Sequence, residues 1–234
     1  LTMGPPRAAE VLRESLYRGA DHAILLTDRK FAGADTLATS FALKCAMDRI
    51  GEYDLVFCGR QAIDGDTAQV GPQVAEKLSL PQITYAEAIV ALDGKHITVE
   101  RAMPLGRETV RCVVPCLLTV VSSANTPRPP SVRRAIAHKL AATPLEYTGL
   151  LKRWPEFETE ERLDAYLSTR DLKITVWTAD DLGVDEERLG LSGSPTKVLK
   201  VDYVVLQTSG SKTITETEEG IAELMHELVE EYIL

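Results

Sequence analysis

One polar segment of the chain, residues 58–72, has residue types and a position that suit the binding of an anion. It follows a compact apolar run at residues 55–58, which predicts a strand buried on both faces. It leads into an apolar periodicity that predicts a helix over residues 67–78. A loop that joins a strand to a helix presents backbone N–H groups without partners, and these can bind an anion. The segment is therefore the first candidate for a functional site.

Four residues of this segment could assist such binding. Gly59 and Gly65 would allow a ligand to approach the backbone closely and would allow positive φ. Thr67 and Gln69 would add hydrogen bonds from their side chains. The residues by themselves leave two interpretations open, a cradle for a phosphate or nucleotide and a well-capped turn.

Two carboxylates in the same segment, Asp64 and Asp66, have the chemistry of a general acid and base. A phosphate bound beside both carboxylates would be repelled by them. We therefore expect at least one of them to point away, as a helix cap or as a contact to a ribose. No side chain is assigned a catalytic role.

The cysteines do not form a pattern typical of a metal site. Cys112 and Cys116 are close in sequence, but Pro115 lies between them and no second Cys/His pair follows. Cys45 and Cys58 also lie in apolar surroundings, so all four are expected to be buried, reduced thiols. No metal site is predicted.

The composition argues against several classes of partner. The 234 residues carry a formal net charge of −9 and no polybasic run, which argues against nucleic acid. The longest apolar stretch, residues 113–121, contains a proline and is far shorter than the roughly 20 residues of a membrane-spanning helix. No pattern of a secretory signal is present. A cytoplasmic protein without membrane insertion is therefore expected.

Apolar runs typical of strands alternate with helical periodicities in the first part of the chain. This order predicts a doubly wound, mainly parallel α/β sheet, which binds ligands at the carboxyl ends of its strands. The predicted elements are a helix over residues 8–17, a strand over 23–27, a helix capped by Asp35 or Thr36, the strand over 55–58, the helix over 67–78 and a strand that begins at Ile83.

From residue 85 the pattern changes to antiparallel β structure, in which Asp93 and Gly94 predict a hairpin turn. The further predicted elements are strands over 88–92, 96–101, 108–114, 117–121, 173–177 and 203–206, helices over 131–140, 158–167 and 217–234, and an acidic loop over 178–196. The predicted organisation is a nucleotide-binding domain over residues 1–142, an inserted helical segment over 143–170 and a C-terminal arm over 171–234.

Several short motifs occur along the chain in one order. They are Thr2-Met3-Gly4-Pro5; Asp28-Arg29-x-Phe31-Ala32-Gly33-Ala34-Asp35-Thr36; Gly59-x-Gln61-Ala62-Ile63-Asp64 with Thr67 and Val70; Val99-Glu100-Arg101 with Glu108 and Pro115; and Asn125-x-Pro127-Arg128. Together they resemble the beta subunits of electron-transfer flavoproteins. The resemblance covers the chain from residue 1 to about residue 140 and resumes at residue 173.

The resemblance implies a Rossmann-like, adenine-nucleotide-binding fold and a heterodimer with a larger alpha subunit that holds a mobile FAD. In ordinary members the beta subunit binds a structural AMP. Bifurcating members are similar but hold a second FAD there, which takes a hydride from NADH and passes electrons through the alpha-subunit FAD. Residues 31–36, 177–182 and 193–196 resemble the bifurcating group, so FAD is the expected cofactor and AMP the alternative.

The resemblance also implies roles for particular residues. Because the flavin carries out the redox chemistry, an electron-transfer subunit without its own catalytic side chains is expected. The residues expected to bind the cofactor are Met3, Gly4, Asp35, Thr36, Gly59, Arg60, Gln61, Ala62, Ile63, Asp64, Gly65, Asp66, Thr67, Ala68, Gln69 and Val70. Those expected to contact a flavin-dependent dehydrogenase, acyl-CoA dehydrogenase-like or other, are Asn125, Pro127, Arg128 and Val132. The C-terminal arm is expected to embrace the alpha subunit.

The chain differs from the family's pattern at three places. It opens at Leu1 without the family's amino-terminal strand, so we expect a piece of the sheet to be absent. Residues 103–107 replace a stretch that is normally acidic and glycine-containing, and Pro129 follows Arg128 where an aromatic residue is usual. An ATP-hydrolysing or adenylating enzyme on the same fold is the remaining alternative, but the serine- and glycine-rich loop of such enzymes is not visible.

Overall fold

The computed structural model describes residues 1–63, 65–198 and 213–230. The chain divides into two compact units, Leu1–Lys197 and Val198–Leu234. The first unit contains all the residues expected to bind a cofactor or a dehydrogenase. The predicted domain boundaries after residues 142 and 170 both fall within this first unit and remain predictions.

Strands and helices alternate at the start of the chain and again near residue 175. The strands are β1 (Thr2–Met3), β2 (Ile24–Leu26), β3 (Leu55–Gly59), β4 (Gln82–Leu92), β5 (His96–Met103), β6 (Gly106–Val113), β7 (Cys116–Val120) and β8 (Thr175–Trp177). The α-helices are α1 (Ala9–Arg18), α2 (Thr36–Ile50), α3 (Val70–Lys77), α4 (Val132–His138), α5 (Tyr147–Arg153), α6 (Glu160–Thr169), α7 (Ala179–Leu182) and α8 (Glu218–Glu230). Short 3₁₀ turns lie at Pro6–Ala8, Arg29–Phe31, Pro144–Glu146, Pro155–Phe157 and Glu186–Arg188.

The described strands form two sheets. One is parallel with the order β1-β2-β8, and the other has the order β3-β7-β4-β5-β6. In the second sheet β3, β7 and β4 are parallel, whereas β4, β5 and β6 are antiparallel. A mixed α/β fold with parallel strands is therefore confirmed. The doubly wound, mainly parallel arrangement remains a prediction.

The Asp-Gly hairpin is present between β4 and β5. Gly94 has a φ of 83°, a conformation that costs glycine no steric penalty. One carboxylate oxygen of Asp93 accepts hydrogen bonds from the backbone N–H groups of Lys95 (3.1 Å) and His96 (2.7 Å). The turn is thus closed by its own residues, which is why a short sequence motif was enough to predict it.

Residues 143–170 contribute to one of the hydrophobic cores of the first unit. Leu12 and Leu16 on the inner face of α1 belong to the same buried cluster as Tyr147, Leu163 and Leu167. The segment contains two α-helices, α5 and α6, where one charged helix was predicted. The periodicity of α5 is short, only Tyr147–Arg153, which explains why it did not stand out in the sequence.

The prediction that β3 is buried on both faces is wrong, because the side chain of Phe57 is 54% exposed. Val56 and Cys58 point to the face that carries Val74 of α3 and Met47 of α2. Helices therefore cover one face of β3, and Phe57 lies on the other. An unbroken apolar run does not reveal that only one face is covered.

Several predicted boundaries also change. Helix α3 begins at Val70 rather than at Thr67, and the expected loop over 178–196 contains the short helix α7 and a 3₁₀ turn. The predicted strand over 203–206 and the last residues of the final helix, 231–234, lie outside the described residues.

Candidate functional site

The polar loop begins where β3 ends, beside the carboxyl end of β7. Gly59 is the last residue of β3 and pairs with Val120 of β7. The backbone N–H of Arg60 then donates a hydrogen bond of 2.9 Å to the carbonyl of Val120. The parallel pairing thus fixes the first two residues of the loop at the edge of the sheet where ligands of such folds bind.

The glycines of the loop face open space. A Cβ atom built at Gly59 or at Gly65 would meet no other atom within 4 Å. At Gly71, by contrast, it would lie 2.6 Å from the Cγ2 atom of Thr119. The first two positions therefore leave room for a ligand against the backbone, and the third is needed for close packing of α3 on β7.

Left-handed backbone does occur in the loop, but not at Gly59, one of the two glycines at which it was expected. Gly59 does not have a positive φ, whereas Asp66 and Ala68 have φ values of 49° and 54°. The backbone N–H of Asp66 bonds to the carbonyl of Ala62 at 3.1 Å, and its carboxylate accepts a hydrogen bond from the Gln61 amide. Asp66 therefore closes the loop on itself and does not cap α3. These left-handed residues also explain why α3 starts late.

The end of the loop is tied to the start of α2 by side chains. The hydroxyl of Thr36 bonds to Oε1 of Gln69 at 2.9 Å, and Nε2 of Gln73 donates to the same hydroxyl at 3.4 Å. The fully buried Ser40 donates to Oε1 of Gln73 at 3.0 Å. This network places Thr36 and Gln69 together, as the prediction of a common site requires.

Asp35 is the N-cap of α2, as predicted, and its carboxylate is fully engaged within the chain. One oxygen accepts from the backbone N–H groups of Leu37 and Ala38 at 2.9 and 3.0 Å. The other accepts from the backbone N–H and the hydroxyl of Thr196 at 3.1 and 2.8 Å. Burial by itself would raise the pKa of Asp35, but these hydrogen bonds outweigh it and hold the pKa below its ordinary value. Asp35 thus orders the site rather than offering a free group to a ligand.

The other expected cofactor contacts fall into two cavities. A cavity of about 590 Å³ lies at the loop and is lined by Phe57, Cys58, Gly59, Arg60, Gln61, Ile63, Val120, Val121 and Ser122. A second cavity of about 610 Å³ lies at the carboxyl ends of β1 and β2 and is lined by Met3, Gly4, Pro5, Pro6, Thr27, Asp28, Arg29, Phe31, Ala32 and Leu145. The described residues therefore do not bring Met3 and Gly4 into the loop cavity.

Most of the remaining loop residues are exposed. Ile63 is fully exposed, and Ala62, Gly65 and Thr67 are also exposed. Asp64 lies outside the described residues. The described part of the loop is therefore largely open to solvent.

The residues expected to contact a dehydrogenase lie in an exposed segment next to α1. Asn125, Pro127 and Arg128 are exposed, and Val132 at the start of α4 is 75% exposed. The backbone N–H of Ser131 bonds to the carbonyl of Tyr17 at 3.0 Å, which holds the segment against the end of α1. These four residues therefore stay predicted contacts with a dehydrogenase.

Two features of the site were not found from the sequence. Tyr85 lies across β7 from Arg60, and its ring is 5.9 Å from the Arg60 guanidinium. The hydroxyl oxygen of Ser194 accepts a hydrogen bond of 2.8 Å from the backbone N–H of Asp35, so the 193–196 motif helps to hold the start of α2 in place. The sequence shows no signal for Tyr85, whereas the 193–196 motif was recognised without its structural role.

The thiols offer no reactive group at the site. All four cysteines are free, and burial raises the pKa of Cys58 and, to about 11, that of Cys116. These two thiols are therefore protonated at neutral pH. Within the described ranges, no group of three or more His, Cys, Asp or Glu side chains is placed to hold a metal ion. None of the helices in those ranges is both long and apolar enough to cross a membrane.

Known proteins resemble the chain over its whole length. Residues 1–145 match the family described as "Electron transfer flavoprotein domain". The chain is 40% identical over 234 residues to "Electron transfer flavoprotein subunit beta" of Thermoanaerobacterium thermosaccharolyticum. This alignment covers 100% of this chain and 78% of that protein. It is 41% identical over 236 residues to "Caffeyl-CoA reductase-Etf complex subunit CarD" of Acetobacterium woodii, with the same coverage. It is 39% identical over 236 residues to "Protein FixA" of Sinorhizobium fredii, covering 98% of this chain and 72% of that protein.

The family model matches residues 1–145, which is more than half of the chain. The relative from Thermoanaerobacterium is 40% identical over the entire chain. The chain therefore belongs to the electron transfer flavoprotein family. Within that family it is similar to beta subunits, which confirms the resemblance seen in the motifs. A beta subunit implies an alpha-subunit partner.

Proposed function

We propose that this chain is a beta subunit of the bifurcating kind, which holds an FAD with its polar loop and has the Rossmann-like sheet of nucleotide-binding proteins. The observation that carries the nucleotide site is the open space at Gly59 and Gly65, at the carboxyl end of β3, and the likeness of residues 31–36, 177–182 and 193–196 to bifurcating members favours FAD. Together with the adjoining cavity of about 590 Å³, this space lets phosphate groups lie against main-chain amides.

The donor set of the loop suits phosphate and adenosine groups. Arg60 supplies the positive charge, and the exposed Thr67 supplies a hydroxyl. The backbone N–H groups of Arg60 and Asp66 bond within the chain, so the uncharged donors to the ligand would come from other positions of the loop. Thr36 and Gln69 anchor the end of the loop on α2, and Asp35 caps that helix. The residues present therefore fit the diphosphate of a dinucleotide.

When held by these residues, FAD would supply the redox chemistry, which is acceptance of a hydride from NADH and division of the electron pair between the alpha-subunit FAD and a second acceptor. The protein residues bind and orient the cofactor and carry out no covalent step. The same donors would also hold the single phosphate of AMP, so an AMP-binding beta subunit is the alternative within the family. Met3 and Gly4, in their own cavity, are proposed to approach the adenosine part of the ligand.

The bound nucleotides of the purified complex distinguish FAD from AMP. The full-length chain would be co-purified with its alpha subunit, and the released nucleotides would be identified by mass and quantified by absorbance. Two FAD per heterodimer support the bifurcating function. One FAD and one AMP would exclude it and support the alternative, and no nucleotide in the beta subunit would remove the site altogether.

The partners follow from the same proposal. The exposed segment with Asn125, Pro127, Arg128 and Val132 is proposed to dock a flavin-dependent dehydrogenase, and residues 171–234 to embrace the alpha subunit. The support is the exposure of Val132 and of the apolar face of α8. The protein is proposed to work in the cytoplasm, where its free thiols remain reduced.

A further inference from the structure

A strained residue lies in β4 beside the loop. The register of β4 on β7 shifts between Ile83 and Ala86, and within this irregularity Tyr85 has a φ of 59°. A bulky side chain rarely adopts this left-handed conformation. Bulges re-aim side chains next to functional sites, and such strain persists only where the surroundings impose it. The conformation of Tyr85 therefore calls for a physical cause and a role.

Both residues of the bulge are held by neighbouring strands. The backbone N–H of Tyr85 donates a hydrogen bond of 3.1 Å to Oγ1 of Thr119, which is buried in β7. The guanidinium of Arg101 in β5 donates to Oγ1 of Thr84 at 2.7 Å. Side chains of both adjacent strands thus impose the left-handed turn that directs the ring of Tyr85.

The ring is directed at Arg60 and not into the core. Tyr85 remains 39% exposed, so burial does not account for its position. Its ring centroid lies 5.9 Å from the guanidinium carbon of Arg60, within the range of a cation–π interaction. The backbone of Arg60 is already fixed by its hydrogen bond to Val120. Tyr85 therefore limits where the rest of the Arg60 side chain can go.

Arg60 is suited to bind a phosphate. It is the one cationic residue between positions 59 and 70, and it lines the loop cavity. In the part of the chain that the structure describes, no carboxylate forms an ion pair with it. A guanidinium that lies over a ring keeps its N–H groups at the edge, where they can donate in pairs to phosphate oxygens.

We propose that Tyr85 is a positioning residue, which holds the Arg60 guanidinium at the loop as the counter-charge of a nucleotide phosphate. The inference rests on the proposed nucleotide site and adds a residue that neither the loop motif nor the family resemblance assigns. AMP and FAD share the phosphate group that Arg60 would bind. The two nucleotides are therefore tested separately.

The test uses the full-length chain in complex with its alpha subunit, after removal of the beta-subunit nucleotide. Dissociation constants for AMP and for FAD would be measured by calorimetry at low and high salt. The variants are Tyr85→Leu, Tyr85→Phe, Arg60→Gln and the double variant Tyr85→Leu/Arg60→Gln. A matched control is Tyr166→Leu, which removes the ring that lies 4.0 Å from the Arg170 guanidinium, away from the loop.

We expect Arg60→Gln to weaken binding about tenfold. Tyr85→Leu should weaken it about three- to tenfold and reduce its salt dependence, whereas Tyr85→Phe should bind as the wild type does, because it keeps the ring. The double variant should be no weaker than Arg60→Gln, because Tyr85 acts through Arg60. Wild-type affinity of Tyr85→Leu, or an effect that adds to that of Arg60→Gln, would overturn the proposal.

Two further variants, Tyr85→Gly and Gly59→Val, distinguish a folding defect and a wrong nucleotide site from a wrong role for Tyr85. If Tyr85→Leu does not fold, Tyr85→Gly accepts the positive φ without strain and should show the same loss of affinity. If the Tyr85 variants bind normally while Gly59→Val does not, only the role of Tyr85 is wrong. If Gly59→Val also binds normally, the nucleotide site itself is wrong.

Discussion

At the scale of single residues, the glycines in and next to the loop differ in what an added side chain would meet. Gly59 and Gly65 face open space, whereas Gly71 faces the methyl group of Thr119 at 2.6 Å from an added Cβ. Glycine in a loop is commonly explained by positive φ, but Gly59 does not have one. The proposed nucleotide site gives a physical reason for its lack of a side chain, because a ligand could approach the backbone there.

A larger side chain at Gly59 should abolish retention of the nucleotide. In Gly59→Val the branched side chain would occupy the space in which the phosphates are proposed to lie. The fold should be unaffected, because that space holds no protein atom within 4 Å of the Cβ position. Bound nucleotide would be measured in the purified heterodimer.

The control for this variant is Gly149→Val. An added Cβ at Gly149 also meets nothing within 4 Å, and the residue lies on an exposed position of α5, away from the loop. We expect normal nucleotide content in the control. Equal nucleotide content in both variants would contradict the proposed role of Gly59.

Asp35 should make the stability of the protein depend on pH. Its pKa in the folded state is lowered, so its charged form stabilises the fold. This contribution is fully present above the ordinary aspartate pKa of about 3.9 and is lost as the pH falls through the lower pKa of the folded state. The free energies of unfolding of wild type and Asp35→Asn, measured in urea, should therefore differ by a constant amount from pH 6 to about 4 and converge only as the pH falls below about 4.

Truncation of the same residue tests its capping role at neutral pH. Asp35→Ala should lower the free energy of unfolding by about 1 kcal/mol or more, since it removes a helix cap and both bonds to Thr196. Asp35→Asn keeps the cap and should lose less. If Ala and Asn behave alike, the hydrogen bonds of Asp35 do not contribute as inferred.

Asp35 and Tyr85 show what a sequence can reveal at this scale. A cap is made by a residue and its next three neighbours, so Asp35 could be predicted from local sequence. The position of Tyr85 depends on Thr119 and Arg60, which approach it only after β3, β7 and β4 have paired. Nothing in the sequence near Tyr85 indicates that pairing.

At the scale of elements, helix α3 must lie close to β7 for the loop to be formed. Gly71→Ala should destabilise the protein, because the new methyl group would lie 2.6 Å from Cγ2 of Thr119. Alanine gains at most about 1 kcal/mol of helix propensity, whereas overpacking of this kind costs about 1–3 kcal/mol. A net loss in the free energy of unfolding is expected, measured by urea denaturation.

A second substitution should reverse this loss. Thr119→Ser removes the opposing methyl group and keeps the hydroxyl that accepts the backbone N–H of Tyr85. The double variant Gly71→Ala/Thr119→Ser should therefore be more stable than Gly71→Ala. A simple sum of the two single effects would show that the contact does not set the distance between α3 and β7.

The elements differ in how far sequence could predict them. The β4–β5 hairpin was predicted correctly because Asp93 and Gly94 form the turn with their own neighbours. The start of α3 was placed three residues early, because Asp66 and Ala68 take up left-handed conformations that helical periodicity does not exclude. The sequence predicted that β3 is buried on both faces, whereas helices pack on only one of them. Which faces are buried depends on where the helices pack, and the strand's own residues do not show this.

At the scale of the whole molecule, the second unit presents an apolar helical face. Ile221, Met225 and Val229 of α8 are 58%, 48% and 56% exposed, and they are four residues apart. Residues at this spacing lie on one side of a helix. A row of large apolar side chains exposed in this way is typical of a surface that another protein covers.

This face is proposed to bind the alpha subunit, and a charge placed on it should weaken the heterodimer. In Ile221→Asp the carboxylate would have to be buried without a partner on association, which we expect to raise the dissociation constant at least about tenfold. Ala222→Asp adds the same charge at a neighbouring exposed position that does not continue the apolar row, and it should have little effect. Analytical ultracentrifugation or titration of the two purified subunits would measure both. Equal weakening by the two variants would indicate a general effect of charge, and no weakening by Ile221→Asp would show that another surface binds the alpha subunit.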